Sequence, residues 1–353
     1  MATSSDTPFF LLATIAKVVV VLFVLLTTIA YLSWLERKVV AHIQSRWGPY
    51  RVGPHGLLQP LADGLKFLFK EDIVTLEADR FVYWLAPFLA FTLAFLSIAV
   101  IPFGESFKFH GVELFQITDL NAGLLFVFAV TSLGVYSIAL AGWSSNSKYP
   151  LFGALRSSAQ MISYELSLGL AVVGVLMISG TMSLRGIVEN QRGFWHLGGI
   201  KIYLPHWNVF VQPVGFLVYL ISAIAETNRV PFDLPEGETE LVGGFHTEYS
   251  SFKFAMFFMA EYANMVTVSC LATLLFFGGW LGPVFGPVGL RLLLPVFWFC
   301  LKVFCFLFFY IWMRGTLPRF RYDQLMAFGW KFLLPVSLLN ILATSFVVAW
   351  LSA

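Results

Sequence analysis

Seven of the chain's twenty acidic residues crowd into residues 226–261: Glu226, Asp233, Glu236, Glu238, Glu240, Glu248 and Glu261. Apolar runs lie on both sides, VGFLVYLISAIA before the stretch and VSCLATLLFF after it. Carboxylates at such a boundary are costly to desolvate. Their density predicts a chemistry that uses them, either proton exchange or hydrogen bonding to a polar headgroup at the membrane edge. Glu165 (QMISYELSLG) and Glu261 (FFMAEYANM) sit deeper, about 10 and 13 Å into their apolar runs at 1.5 Å per residue. A charge at mid-span costs about 2.5–3.5 kcal/mol, so an intramembrane carboxylate is a functional expectation. The alternative is a structural pair with an Arg or Tyr on a neighbouring helix. With Glu226 at the mouth, Glu165 and Glu261 predict a chain of carboxylates running from the membrane edge into the bundle.

The first apolar run ends in WLERKVVAHIQSRWGP. Glu36 and Arg37 there are either an interfacial anchor or, with Arg46 and the facing acids, the lining of a polar pocket. Lys17 and Lys302 also fall inside apolar runs. Lys17 is expected to snorkel outward. Lys302 lies nearer mid-span, and its role is open.

These groups need helices that cross a membrane. Of the 353 residues, 58 % are hydrophobic and only 12 % charged, against roughly 45–50 % apolar in a soluble domain. The expectation is an all-α, polytopic membrane helix bundle forming a single domain over residues 1–353. Apolar runs of about 20 residues predict eight spans near 9–35, 81–103, 118–142, 158–180, 209–225, 252–281, 291–312 and 331–351. The first is too long, and too poor in preceding basic residues, for a cleavable leader. Lys and Arg are asymmetric between the connecting segments. The first and every second one after it hold fifteen, the others five. The positive-inside rule then places the 36–80 and 226–251 loops in the cytoplasm and both termini outside.

Residues 46–60, RWGPYRVGPHGLLQP, carry three Pro and three Gly and predict irregular backbone with defined turns. Residues 57–70 follow as an amphipathic helix. Leu58, Leu61, Leu65 and Leu68 share one face, while Asp63, Lys66 and Lys70 share another. Such a helix lies in the interface, either sealing the bundle or roofing a cavity entered from the membrane plane. GxGxxG, P-loop, CxxC and HExxH patterns are absent from the sequence, and the six His residues fall in loops or at span edges. The three cysteines lie in predicted spans without metal-ligand spacing. The chain is therefore expected to bind no metal, flavin, haem or iron–sulfur cluster. No repeat of 20–50 residues signals an inverted-repeat transporter.

Three blocks of the sequence resemble a known family. WLERKVVAHIQSRWGPYRVGPHGLLQPLADGLKFLFKED is similar to the first-loop signature of the H-type subunits of proton-pumping NADH:quinone oxidoreductase, respiratory complex I (subunit 1 in mitochondria). ALRSSAQMISYELSLG resembles that family's fourth-helix signature. IAETNRVPFDLPEGETELVGGFHTEYSSFKFAMFFMAEY resembles its loop between helices five and six. The order and the eight-span layout agree along essentially the whole chain, with 185–210 unmatched. The resemblance implies a translocase subunit that joins the membrane arm to the hydrophilic arm, forms much of the quinone-access channel and links quinone reduction to proton pumping. It implies quinone as substrate. As partners it implies an iron–sulfur subunit and a quinone-site subunit of the hydrophilic arm, neighbouring membrane-arm subunits and the lipid bilayer, but no nucleic acid. It makes Glu165, Glu226 and Glu261 the proton-coupling residues. It makes Glu36, Arg37, Arg46, Asp63, Arg229, Phe232, Asp233, Glu236, Glu238 and Glu240 the wall of a quinone chamber. The implied location is a bacterial inner membrane, in preference to a mitochondrial one. Charge developing on the headgroup is expected to reorganise the acidic loop, with Gly237, Gly243 and Gly244 letting it move and Pro231 and Pro235 restricting its bends. The alternatives are the homologous subunit of a membrane-bound hydrogenase or ferredoxin-dependent complex, and a free-standing proton-coupled transporter.

Overall fold

The computed structural model describes residues 7–109, 112–197, 200–233 and 242–352. Glu236, Glu238 and Glu240 lie outside them, as do Gly237 and Pro235. The chain is a helical bundle. Seven helices among the described residues are long and apolar enough to cross a membrane. These are α1 (Thr7–Ile43), α3 (Arg80–Leu96, prolonged by a 3-10 turn to Val100), α4 (Gly123–Ser144), α5 (Lys148–Ser179), α9 (Ser251–Phe276), α10 (Val288–Thr316) and the pair α11 (Tyr322–Phe328) and α12 (Leu334–Ser352), which a π-turn at Gly329–Leu333 makes continuous. The shorter elements are α2 (Gln59–Phe69), α6 (Leu184–Asn190), α7 (Asn208–Val211), α8 (Pro213–Glu226) and two small antiparallel hairpins.

The fifth expected span is thus a broken one. Pro213 cannot donate to the preceding turn. The helix is interrupted at Gln212, leaving α8 with 14 residues, about 21 Å of length against a hydrocarbon core of about 30 Å. The first expected span continues to Ile43 and the fourth starts at Lys148, ten residues early. Charged residues near the ends of these helices hide their true length from a hydropathy reading.

Two thirds of the apolar window of α9 is buried against other helices, but only 6 % of that of α1. The core therefore forms around α9, with α3 and α10 packed on it. α4 packs on α3 and α5, and α5 carries α8 and α12. Close approach is built on small residues, as is usual between membrane helices. A Cβ on Gly142 of α4 would lie 2.3 Å from that of Ala154 on α5, and one on Gly153 would lie 2.7 Å from the backbone of Phe245.

α2 has the expected amphipathic pattern, and all its residues are exposed or half-buried. Its end is held from a distance. Ser251 Oγ donates to the carbonyls of Phe67 (3.0 Å) and Lys70 (2.8 Å), Ser250 Oγ accepts from Ile73 N (2.9 Å), and Lys253 pairs with Asp72 at 3.0 Å. The orphan carbonyls that end a helix are thus satisfied by the start of α9. This amphipathic helix is fastened to the point where the acid-rich loop ends.

At the opposite end of the bundle the intramembrane lysines have partners. Lys17 donates to the carbonyls of Glu113 (2.9 Å) and Gln116 (3.1 Å), tying α1 to the segment after α3. It does not snorkel outward, because its ammonium finds backbone acceptors inside the protein. Lys302 donates to Phe277 O (2.8 Å), Gly279 O (2.9 Å) and Leu281 O (2.7 Å), with its charge 4.6 Å from the Trp207 ring. It closes the C-terminal end of α9. Gln191 accepts from Gly278 N (3.0 Å) and Asn208 N (3.2 Å) and donates to Leu274 O (2.9 Å).

Candidate functional site: a buried charged junction between two cavities

Four elements deliver charge to one place near the first-loop end of the bundle. α1 brings Glu36, the segment after α8 brings Arg229, α9 brings Glu261 and Tyr262, and α10 brings Arg314. Arg229 Nη1 donates to Glu36 Oε1 (2.9 Å) and Oε2 (3.2 Å), and its Nε lies 2.5 Å from Glu261 Oε1. Tyr262 donates to Glu36 Oε2 at 2.6 Å, and the Arg229 guanidinium lies 4.2 Å from the Tyr262 ring centre. Arg314 also pairs with Glu36. Glu36 and Arg229 are 3 % and 7 % exposed. Such burial is tolerable only because each charge meets an opposite one, and removing one member strands another. The rigid planar fork of an arginine can hold two carboxylates at once, which a lysine cannot do in this geometry.

The junction divides two cavities of different size. On one side lies a hollow of about 620 Å³ lined by Glu36, Arg37, Gln44, Arg46, Trp47, Val230, Tyr262 and Arg314. That volume falls in the range that takes a small-molecule headgroup. On the other side a cavity of about 60 Å³ is lined by Glu226, Asn228, His246, Glu261 and Asn264, with Thr131 and Ser137 of α4. It admits about four to six waters, at about 10–15 Å³ of accessible space each, and no ring. Arg229 is the ionic link, since Glu36 faces the large cavity and Glu261 the small one.

The expected residues are distributed unequally. Glu226 and Glu261 share the small cavity. Glu165 does not line it. It accepts from Ser132 on α4, beside the lining residue Thr131. Arg37 and Arg46 line the large cavity. Asp63 stands one bond behind it, 2.7 Å from Arg37 and fixed by Gln59 at 2.8 Å. Phe232 lies in the core, 6 % exposed, stacked on Phe320 and packed against Tyr164. Asp233 pairs with Arg319 at 3.0 Å. Neither lines the large cavity. Sequence reasoning does not reach Tyr262 and Arg314. Tyr262 carries a signal, since it adjoins Glu261. Arg314 looks like one more basic residue at the end of a span.

Outside the spans, burial pushes the imidazole of His246 down to about 4, so it faces the small cavity uncharged at neutral pH. Burial also pushes the Tyr249 phenol up to about 12. At the far end, the hydrogen bond from Arg185 (2.7 Å) holds the Glu113 carboxyl below the usual range.

Fold and site together define a class: a polytopic helical membrane protein with a headgroup-sized polar cavity joined by buried ion pairs to a narrow acidic one. The family model described as NADH dehydrogenase matches residues 16–345. The chain is 61 % identical to an H-type subunit of NADH-quinone oxidoreductase from Koribacter versatilis, over 96 % of this chain and 98 % of that one. It is 52 % identical to an H-type subunit of the same enzyme from Solibacter usitatus (97 % and 98 %) and 53 % identical to the one from Thermomicrobium roseum (94 % of each). The chain belongs to the NADH dehydrogenase family.

Proposed function

We propose that this chain is the membrane subunit of a bacterial NADH–quinone oxidoreductase that receives the quinone headgroup in the 620 Å³ cavity and passes the resulting charge change to the acidic cavity. The observation that carries this reading is Arg229, whose one guanidinium holds a carboxylate of each cavity. Quinone becomes quinol by taking up two electrons and two protons. In this reading the electrons arrive from a partner subunit of the complex that bears an iron–sulfur cluster, since the three cysteines of this chain lack the spacing that such a cluster needs. Negative charge growing on the headgroup competes with Glu36 for Arg314 and Arg229. As Arg229 leans toward the headgroup, Glu261 loses its counter-charge and takes up a proton more readily. A proton then moves along the waters and carboxyls of the small cavity, with Glu226 beside Glu261 and Glu165 one helix away. The acid-rich loop faces the cytoplasm in this reading, with both termini on the outer side.

The test uses the whole complex in membranes. Arg229→Ala should lower quinone-dependent NADH oxidation by tenfold or more, since truncating a doubly paired buried charge costs about 3–5 kcal/mol. NADH oxidation by a water-soluble acceptor that bypasses the quinone should be unchanged. A normal quinone-dependent rate in the assembled variant would overturn the reading.

A further inference from the structure

Gln160 stands on α5, is not itself part of the lining of either cavity, and is wholly buried. Its Nε2 donates to Ala225 O at 2.8 Å and Phe232 O at 2.9 Å, and lies 3.3 Å from Asn228 Oδ1. All three acceptors belong to one stretch, 225–232, which is the last turn of α8 and the loop that follows it. One turn earlier on the same face, Ser157 Oγ accepts from Asn228 Nδ2 at 3.2 Å. Asn228 itself is in the left-handed region, with φ 52°, where Asn is among the few tolerated side chains. The loop therefore wraps around one side-chain amide. Arg229, the next residue after Asn228, reaches Glu36 and Glu261. Only the NH2 group can serve these acceptors. The reversed amide would set oxygen against oxygen, so the orientation is fixed.

We infer that Gln160 is a positioning residue for the charged junction: its amide ties the end of α8 to the loop after it so that the guanidinium of Arg229 reaches the carboxylates of both cavities at once. Gln160 touches neither cavity, and its effect passes entirely through the loop. The inference rests on the functional reading above, in which Arg229 is the link.

Buried donors and acceptors left without partners are costly, and residues that act through one another show non-additive effects. Gln160→Leu should therefore lower quinone-dependent NADH oxidation about tenfold while oxidation by a water-soluble acceptor stays unchanged. The double variant with Arg229→Ala should be no slower than Arg229→Ala alone, within about twofold. Gln160→Glu supplies a readout that volume alone does not give. Its carboxyl is nearly isosteric but has at most one donor hydrogen for the two backbone carbonyls, so its rate should fall toward that of Gln160→Leu. Losses that multiply in the double variant, a Gln160→Glu rate equal to wild type, or a normal Gln160→Leu rate would each overturn the inference. Failure of both single variants to assemble would assign Gln160 to folding alone and overturn it as well. The two readings separate cleanly. A normal rate in Arg229→Ala sinks the functional reading, whereas a slow Arg229→Ala beside a normal Gln160→Leu sinks only the role of Gln160.

Discussion

The intramembrane lysines at one end of this bundle and the charged junction at the other are satisfied in opposite ways. At the far end each intramembrane lysine is satisfied by backbone. Lys302 has three carbonyls, Lys17 has two, and Gln191 closes the gap between α7 and α9. Backbone acceptors cannot titrate and are fixed by the helices that own them, so these contacts have one arrangement. At the first-loop end, Glu36, Arg229, Glu261 and Arg314 are satisfied by one another. Side-chain charges can exchange partners, and a cavity on either side leaves room for that. The same chain thus locks one end and leaves the other able to respond to a new charge.

The sharpest way to break this contrast is to disturb each end separately. Glu36→Gln should have the largest effect. It leaves Arg229 and Arg314 facing each other with one carboxylate fewer, at a cost of about 3–5 kcal/mol. Blue-native electrophoresis should show less assembled complex, and the complex that remains should reduce quinone more slowly. Lys302→Met should come next in stability. Stripping the donor from three carbonyls costs about 2–3 kcal/mol, visible as a lower Tm, yet the rate per assembled complex should equal wild type. A slowed rate there would show that the far end is not merely a lock.

A pH dependence follows in size. His246 has a lowered folded value of about 4, against an ordinary 6.5. The unfolded chain therefore binds the proton more readily between these values. Its contribution to stability is fully present above about pH 6.5 and is lost as pH falls toward 4. The depressed Glu113 carboxyl acts with the same sign, its contribution present above the unfolded value and lost on acidification. Differential scanning calorimetry across pH 4–7 should show Tm falling with acid, and His246→Gln should flatten part of the fall. The smallest effect on stability is expected from Asp63→Asn, since its pair with the half-exposed Arg37 is worth about 1 kcal/mol or less. Its effect should appear as a raised KM for quinone with little change in kcat, through a loosened Arg37 on the cavity wall. An unchanged KM would leave Asp63 as packing for α2.

Much of the architecture is legible in the sequence because its causes are local. The apolar runs, the amphipathic α2 and the irregular 46–58 segment follow from hydropathy, period and the Pro and Gly content of short windows. Of the three carboxylates expected to form one chain, Glu226 at the mouth and the deep Glu261 share a cavity, while the deep Glu165 stands outside it, bonded to Ser132. The break at Gln212 and the early start of α5 are not legible. Interior polar residues such as Gln212, which accepts from Asn340 and donates to Thr344, look unfavourable until their partners on another helix are known. Phe232 and Asp233 are expected in the headgroup chamber, yet they pack on Phe320 and pair with Arg319.

What the sequence determined by itself is the kind of molecule: a polytopic helical bundle of the NADH dehydrogenase family, with costly acids at one boundary. Hydropathy and motif order settle this, since each is written in consecutive residues. What only the tertiary structure decided is which charges neutralise which. Glu36 lies 193 residues from Arg229 and 226 from Tyr262 in the chain, and no local pattern encodes such a meeting. The reason is physical. A membrane helix needs only local hydrophobicity to insert, whereas a buried charge needs a particular partner, and that partner is supplied when the helices pack.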